Sequence, residues 1–107
     1  MKLYFYILER PYNKNPFVRF DECDVIEKPK TYYPKDKFPC GVYNCYISKS
    51  DIGHISGYSS NLVVLTEPNA KLAREIFAKM YESNVRRAQA SLAEAKAMLN
   101  VILEMEE

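Results

Sequence analysis

The chain has 107 residues, 48% hydrophobic and 27% charged, which fits one small globular domain and excludes disorder of the whole chain. Fifteen basic residues against fourteen acidic ones leave a net charge of +1, too small a surplus to neutralise the phosphates of a nucleic-acid duplex. The clearest apolar run, Leu62 to Leu65, is far too short to cross a bilayer, and Met1-Lys2 opens straight into an aromatic segment with no secretory leader, so a cytoplasmic protein is expected.

The chain changes grammar near Glu67. All eight alanines lie after it, and twelve of the fourteen aromatics lie before it. Aromatics suit pleated surfaces, whereas alanine with Leu, Lys, Glu and Met suits helices. The expected class is α+β in a single domain, 1–107. An N-terminal antiparallel sheet over 1–66 precedes a long helix, or a two-helix segment, over 67–107.

In chain order, Lys2 to Leu8 alternates as a strand, with Leu3, Phe5 and Ile7 on one face and Tyr4 and Tyr6 on the other. Arg10 to Pro16 is a turn. A second strand runs from Phe17 to about Ile26. Its inward residues, Val18, Phe20, Cys23 and Val25, change parity, which predicts a bulge near Asp21-Glu22. Glu27 to Tyr33 continues as an edge or a new segment, because Pro29 donates no hydrogen bond. Pro34 to Gly41 reads as a polar loop and Val42 to Ile47 as a third strand. Ser48 to Gly53 is a turn or one short helical turn, and Ser56 to Ser60 a loop. Asn61 to Thr66 is a strand buried on both faces.

Pro68 suits the first helical turn, with Thr66 or Asn69 as cap. Leu72, Ala73, Ile76, Phe77 and Met80 form one apolar stripe. Beyond Tyr81 the stripe re-phases: Val85, Ala88, Leu92, Ala95, Leu99 and Ile102 follow the 3-4-3-4-3 spacing of a heptad seam. Either one helix carries this seam to a second copy of the chain, or a turn at Ser83-Asn84 folds two helices together. A homo-oligomer joined by the C-terminal helix is the favoured expectation.

Catalytic signatures are absent. No Gly-x-Ser-x-Gly elbow occurs, and Gly41, Gly53 and Gly57 are too dispersed for a phosphate loop. Cys40, Cys45 and His54 match no common zinc frame. Cys23 and Cys45 read as core residues, and all three thiols as reduced. Glu22 and Asp24 share a strand face and read as a solvated acidic surface. The chain is therefore expected to be no enzyme and to need neither metal nor cofactor.

A binding surface remains. Nine tyrosines are interleaved with lysines in the first half. Tyrosine rings stack on bases, and arginine forks hold phosphates. The candidate ligand-binding residues are Lys30, Tyr32, Lys49, Tyr58, Ser60, Asn61, Arg74, Arg86 and Arg87. They predict a small anionic ligand, enclosed where protomers meet.

Four segments resemble small proteins of phages and prophages of Firmicutes. They are Lys2-Leu3-Tyr4-Phe5-Tyr6, Glu27-Lys28-Pro29-Lys30-Thr31-Tyr32, Ser48-Lys49-Ser50-Asp51-Ile52-Gly53, and the passage from Leu65-Thr66-Glu67 to Ala73-Arg74-Glu75-Ile76-Phe77. Within that group, the order of a sheet followed by oligomerising helices is similar to the first type of Thoeris anti-defence protein. The resemblance implies a non-enzymatic sponge. Such a protein sequesters a cyclic nucleotide immune signal, a cyclic ADP-ribose isomer or a cyclic oligonucleotide, in a pocket at a protomer interface. It carries over no individual ligand residue. The alternatives are a protein-binding inhibitor of a host defence enzyme, comparable to an anti-CRISPR adaptor, and a structural phage protein.

Overall fold

The computed structural model of the chain describes residues 1–57 and 60–105. Six strands form one antiparallel sheet: β1 (Lys2–Glu9), β2 (Phe17–Glu27), β3 (Thr31–Pro34), β4 (Ile47–Ser48), β5 (Ile55–Ser56) and β6 (Leu62–Leu65). Their spatial order is β4-β3-β2-β1-β6-β5. One helix follows, α1 (Ala70–Leu103). The fold is α+β. The chain divides into two compact units, Met1–Phe77 and Ala78–Glu107, so the boundary falls inside α1 and not at the strand-to-helix passage.

β1 is central, and its alternation sets both faces of the sheet. Leu3, Phe5 and Ile7 point into the main core, together with Cys23 and Val25 of β2, Tyr32 of β3, Ile47 of β4, and Leu62 and Val64 of β6. The β1–β2 ladder is continuous from Lys2↔Asp24 to Glu9↔Phe17, so the bulge expected at Asp21-Glu22 does not occur. The parity change has another cause. Cys23 and Val25 belong to the core face, whereas Val18 and Phe20 lie on the opposite face, half exposed, across from Leu8 and Tyr6. The Phe20 ring sits 5.2 Å from Tyr6 and 6.2 Å from Tyr4. Both faces of β2 are apolar over different stretches, which a period-two reading converts into a false register shift.

Residues 35–46 close the core face. Phe38 is buried with its ring 5.7 Å from Phe5, and Val42 packs against the same cluster. The Cys23 thiol donates to the Lys37 carbonyl at 3.3 Å. Arg19 fastens the far end: its Nε donates to Glu9 at 3.1 Å, one Nη to Asp21 at 3.2 Å, and the other to the Cys40 carbonyl. Gly41 takes φ +91°, and a Cβ there would meet that guanidinium at 3.3 Å. The strand expected over Val42 to Ile47 therefore shrinks to Ile47–Ser48. Its first half is spent crossing the core and does not pair with a neighbour. Pro29 sits in a turn closed by Lys28 N–H to the Thr31 carbonyl, 2.8 Å, and a new strand starts at Thr31. Lys49–Asp51 makes one 3-10 turn, followed by Gly53 at φ +80°, as the sequence predicts.

The second face of β1 and β6 is covered by the start of α1. Tyr6, Val63 and Leu65 are buried there, and Ala73 and Phe77 are the buried residues of the helix. The Asn69 N–H donates to the Tyr6 hydroxyl at 2.9 Å. Asn69 is the N-cap: its Oδ1 accepts the Leu72 N–H at 3.0 Å, and its carbonyl accepts the Ala73 N–H at 3.1 Å. Pro68 thus precedes the cap and lies outside the first helical turn. The expected stripe is only partly used, since Leu72 is exposed.

The helix continues unbroken through Ser83-Asn84, which excludes the two-helix alternative. The Asn84 amide oxygen accepts from Arg87 Nη2 at 2.5 Å, along the helix and not as a cap. From Ala78 onward no described residue is buried, and the seam stands open, with Leu92 55% and Leu99 54% exposed.

The cap yields a quantitative expectation. Asn69→Ala should lower unfolding stability by about 1 kcal/mol in a chemical denaturation series, the usual worth of an N-cap. A change below a few tenths of a kcal/mol would show that the Tyr6 hydroxyl alone holds the helix start.

Candidate functional site

A cleft of about 480 Å³ in the sheet unit is lined by Asn44, Cys45, Tyr46, Ser48, Asp51 and Gly57. It exists because residues 42–46 run as a loop and the Lys49–Asp51 turn brings Asp51 round beside them. Tyr46 is half exposed, with its ring 5.7 Å from that of Tyr33. The walls therefore offer one aromatic face, an amide, a hydroxyl and a carboxylate. Chemically, that set provides a ring that can stack and acceptors for amine and hydroxyl donors.

Three of the residues expected from sequence lie at one edge of this region. Lys49 adjoins Ser48, and its backbone N–H donates to the Lys30 carbonyl at 2.9 Å. Its ammonium sits 5.3 Å from the Tyr32 ring centroid and donates to Glu27 at 2.7 Å. Tyr32 is only 6% exposed, so its ring belongs to the core and is not a stacking platform. Lys30 is exposed on the β2–β3 turn.

Asn61 has a structural place: its Nδ2 donates to the Leu8 carbonyl at 3.4 Å, while the Leu8 N–H donates to its carbonyl at 2.8 Å. Ser60 takes φ +51° and donates its N–H to the Gly57 carbonyl at 3.3 Å. Tyr58 lies outside the described residues. Arg74 is exposed on the part of α1 within the first unit. Arg86 and Arg87 are exposed in the second unit, where Arg86 edges a shallow apolar hollow with Ala78, Tyr81, Glu82 and Val85.

Sequence reading misses Asn44 and Tyr46 as cleft residues because Val42 to Ile47 alternates like a strand, and Asp51 because it reads only as part of the Ser48 to Gly53 turn. The available signal was Pro39 and Gly41 just upstream, which break pairing, and the Ser-Lys-Ser-Asp turn just after.

A second hollow, about 430 Å³, lies between Asp21–Asp24 and residues 35–40. Glu22 is paired with Lys2 at 3.1 Å on the solvated strand face. No group of three or more His, Cys, Asp or Glu among the described residues is placed to hold a metal. Cys23 is buried, whereas Cys40 and Cys45 are exposed, which corrects the placing of Cys45 in the core. No family model matches the chain, and neither a curated protein nor a solved structure matches it.

Burial pushes the Cys23 thiol above its usual pKa, with Asp24, Asp21 and Asp36 adding to the shift. An acid whose pKa is raised by folding contributes stability below its unfolded pKa and loses it as pH rises through the folded value. Unfolding stability should therefore fall as pH rises past the ordinary thiol range. In denaturation curves at stepped alkaline pH, Cys23→Ala should flatten that part of the decline, and an unchanged slope would assign it to other groups.

Proposed function

We propose that this chain is a non-enzymatic capture protein that sequesters a cyclic nucleotide signal and self-associates through α1, in the manner of the Thoeris anti-defence proteins it resembles. A phage origin and a host-cytoplasmic setting belong to the same reading. The observation that carries it is the cleft, with the half-exposed Tyr46 ring beside Asn44, Ser48 and Asp51. Asp51 orients the ligand. Its carboxylate accepts from ribose hydroxyls and repels phosphate, so the phosphates lie away from it, toward the exposed Lys28 and Lys30 of the β2–β3 turn. Lys49, already paired with Glu27, contributes less. Sequestration needs tight binding and no catalytic group, and tight binding needs most of the ligand surface buried. The cleft leaves one side of a nucleotide open, which a second protomer can close.

Native mass spectrometry with cyclic ADP-ribose isomers and cyclic di- and trinucleotides tests the capture. The protein should gain the mass of one intact ligand per site at micromolar concentration, and Tyr46→Ala should weaken the gain at least tenfold. Release of a degraded ligand, or no gain with any of them, sinks the reading.

In that event a protein partner takes precedence. One observation favours it: Val18, Phe20, Ile26 and Tyr33 share the outer face of β2 and β3 and are each 40–49% exposed. Exposed aromatic and aliphatic strips of this kind mark protein contacts.

Self-association has its own test. Leu92→Glu sets a charge in the seam, and sedimentation equilibrium should show the oligomer dissociating to monomer. An unchanged mass would remove the helix from the contact.

A further inference from the structure

The exposed seam of α1 carries an orientation as well as a stickiness. Its residues run large and small in turn as far as Leu99, with a second large residue at the end: Val85, Ala88, Leu92, Ala95, Leu99, Ile102. Val85, Leu92, Leu99 and Ile102 are each more than half exposed, and Met98 beside them is 60% exposed. Resting on the self-association reading above, we infer that α1 pairs with a second copy of itself in antiparallel orientation, about a two-fold axis passing between Ala93 and Glu94.

The argument is one of layer volume. A two-fold axis at that point sets Leu92 against the partner's Ala95, Leu99 against the partner's Ala88, and Val85 against the partner's Ile102. Every layer then holds one large and one small residue, or two β-branched residues at the ends. The inter-helix distance stays even along the seam, and all six seam residues are used. A parallel in-register pair stacks each residue on its own copy. Leucine layers would hold the helices apart, and the Ala88 and Ala95 layers between them would become voids, which are costly.

The flanks agree. In the antiparallel register Lys96 faces the partner's Gln89, and Ser91 faces the partner's Met98. No like charges meet along the contact. Ser91 opposite Met98 repeats the small-against-large pairing outside the seam. The area is adequate for a concentration-dependent dimer: pairing the exposed seam residues and Met98 covers on the order of 1,000 Å² in total, the lower bound for a specific contact.

The occupant is a second copy because the stripe is complementary to its own reverse, a property that an unrelated partner does not require. The seam therefore forms a closed, isologous contact and not an open chain of protomers.

Disulfide trapping reads the orientation directly. Two tagged forms of the full chain, one Ala88→Cys and the other Leu99→Cys, are co-expressed with Cys40 and Cys45 changed to Ser and the buried Cys23 kept. The expected product on oxidation is the mixed disulfide between the two forms, in at least tenfold excess over either homodisulfide. Ser91→Cys with Met98→Cys repeats the test at a flank, where Ser91→Cys is conservative and leaves the seam intact. Homodisulfides in place of mixed ones overturn the antiparallel orientation while leaving self-association standing. No disulfide from a species that sediments as a dimer overturns the register. A monomer by sedimentation at high protein concentration overturns both this inference and the self-association on which it rests.

Discussion

The constraint on which the sheet unit depends is that β1 and β6 are apolar on both faces. Val63 and Val64 are adjacent, point to opposite sides and are both fully buried. A six-stranded sheet with strands this short cannot cover either face by itself, so the chain must supply two covers. Residues 35–46 form one, pinned by Phe38 on Phe5 and by the Arg19 fork. The opening turns of α1 form the other, set by the Tyr6 hydroxyl on the Asn69 N–H. The cleft is a by-product of the first cover. A segment that crosses a core cannot also pair as a strand, and its loop leaves Asn44 and Tyr46 facing solvent beside Asp51.

That double burial also decides what was legible in the sequence. The leading strand, the turn at Arg10 to Pro16, the 3-10 turn before Gly53, the doubly buried β6 and the helical tail all follow from residue pattern, because each is a local preference that tertiary packing reinforces. The errors fall where packing overrules pattern. Val18 and Phe20 look like core residues and instead share the outer face with Tyr6, so their pattern suggests a bulge where the ladder is continuous. Val42 to Tyr46 alternates correctly for a strand, yet Val42 is recruited to the lid over the core. Tyr32 and Asn61 carry chemistry suited to a ligand and spend it on the core and on the Leu8 backbone. Nothing local distinguishes a tyrosine that stacks on a ligand from one that packs under a lysine. Only the fold assigns them.

The helix raises a different question. Intrinsic propensity helps to hold a long exposed helix, and the alanines of Ala70–Leu103 supply it. Propensity does not explain what occupies the seam. At an exposed site Lys, Glu or Ala serves helix formation better than Val or Ile, by a few tenths of a kcal/mol each. Leucine matches those polar residues in propensity and gains nothing from exposure to water. Yet Val85, Leu92, Leu99 and Ile102 fall on one line, with alanine alone between them, while Glu82, Arg86, Arg87, Gln89, Glu94 and Lys96 all lie off it, and Met98, Val101 and Leu103 are the apolar residues beside its C-terminal end. Such segregation costs solubility and slightly weakens the isolated helix. It is recovered only when the line is buried, at roughly 25 cal/mol for each square ångström of apolar surface removed from water. From Ala78 onward no described residue is buried, and this uncompensated line is the ground for the self-association proposed above.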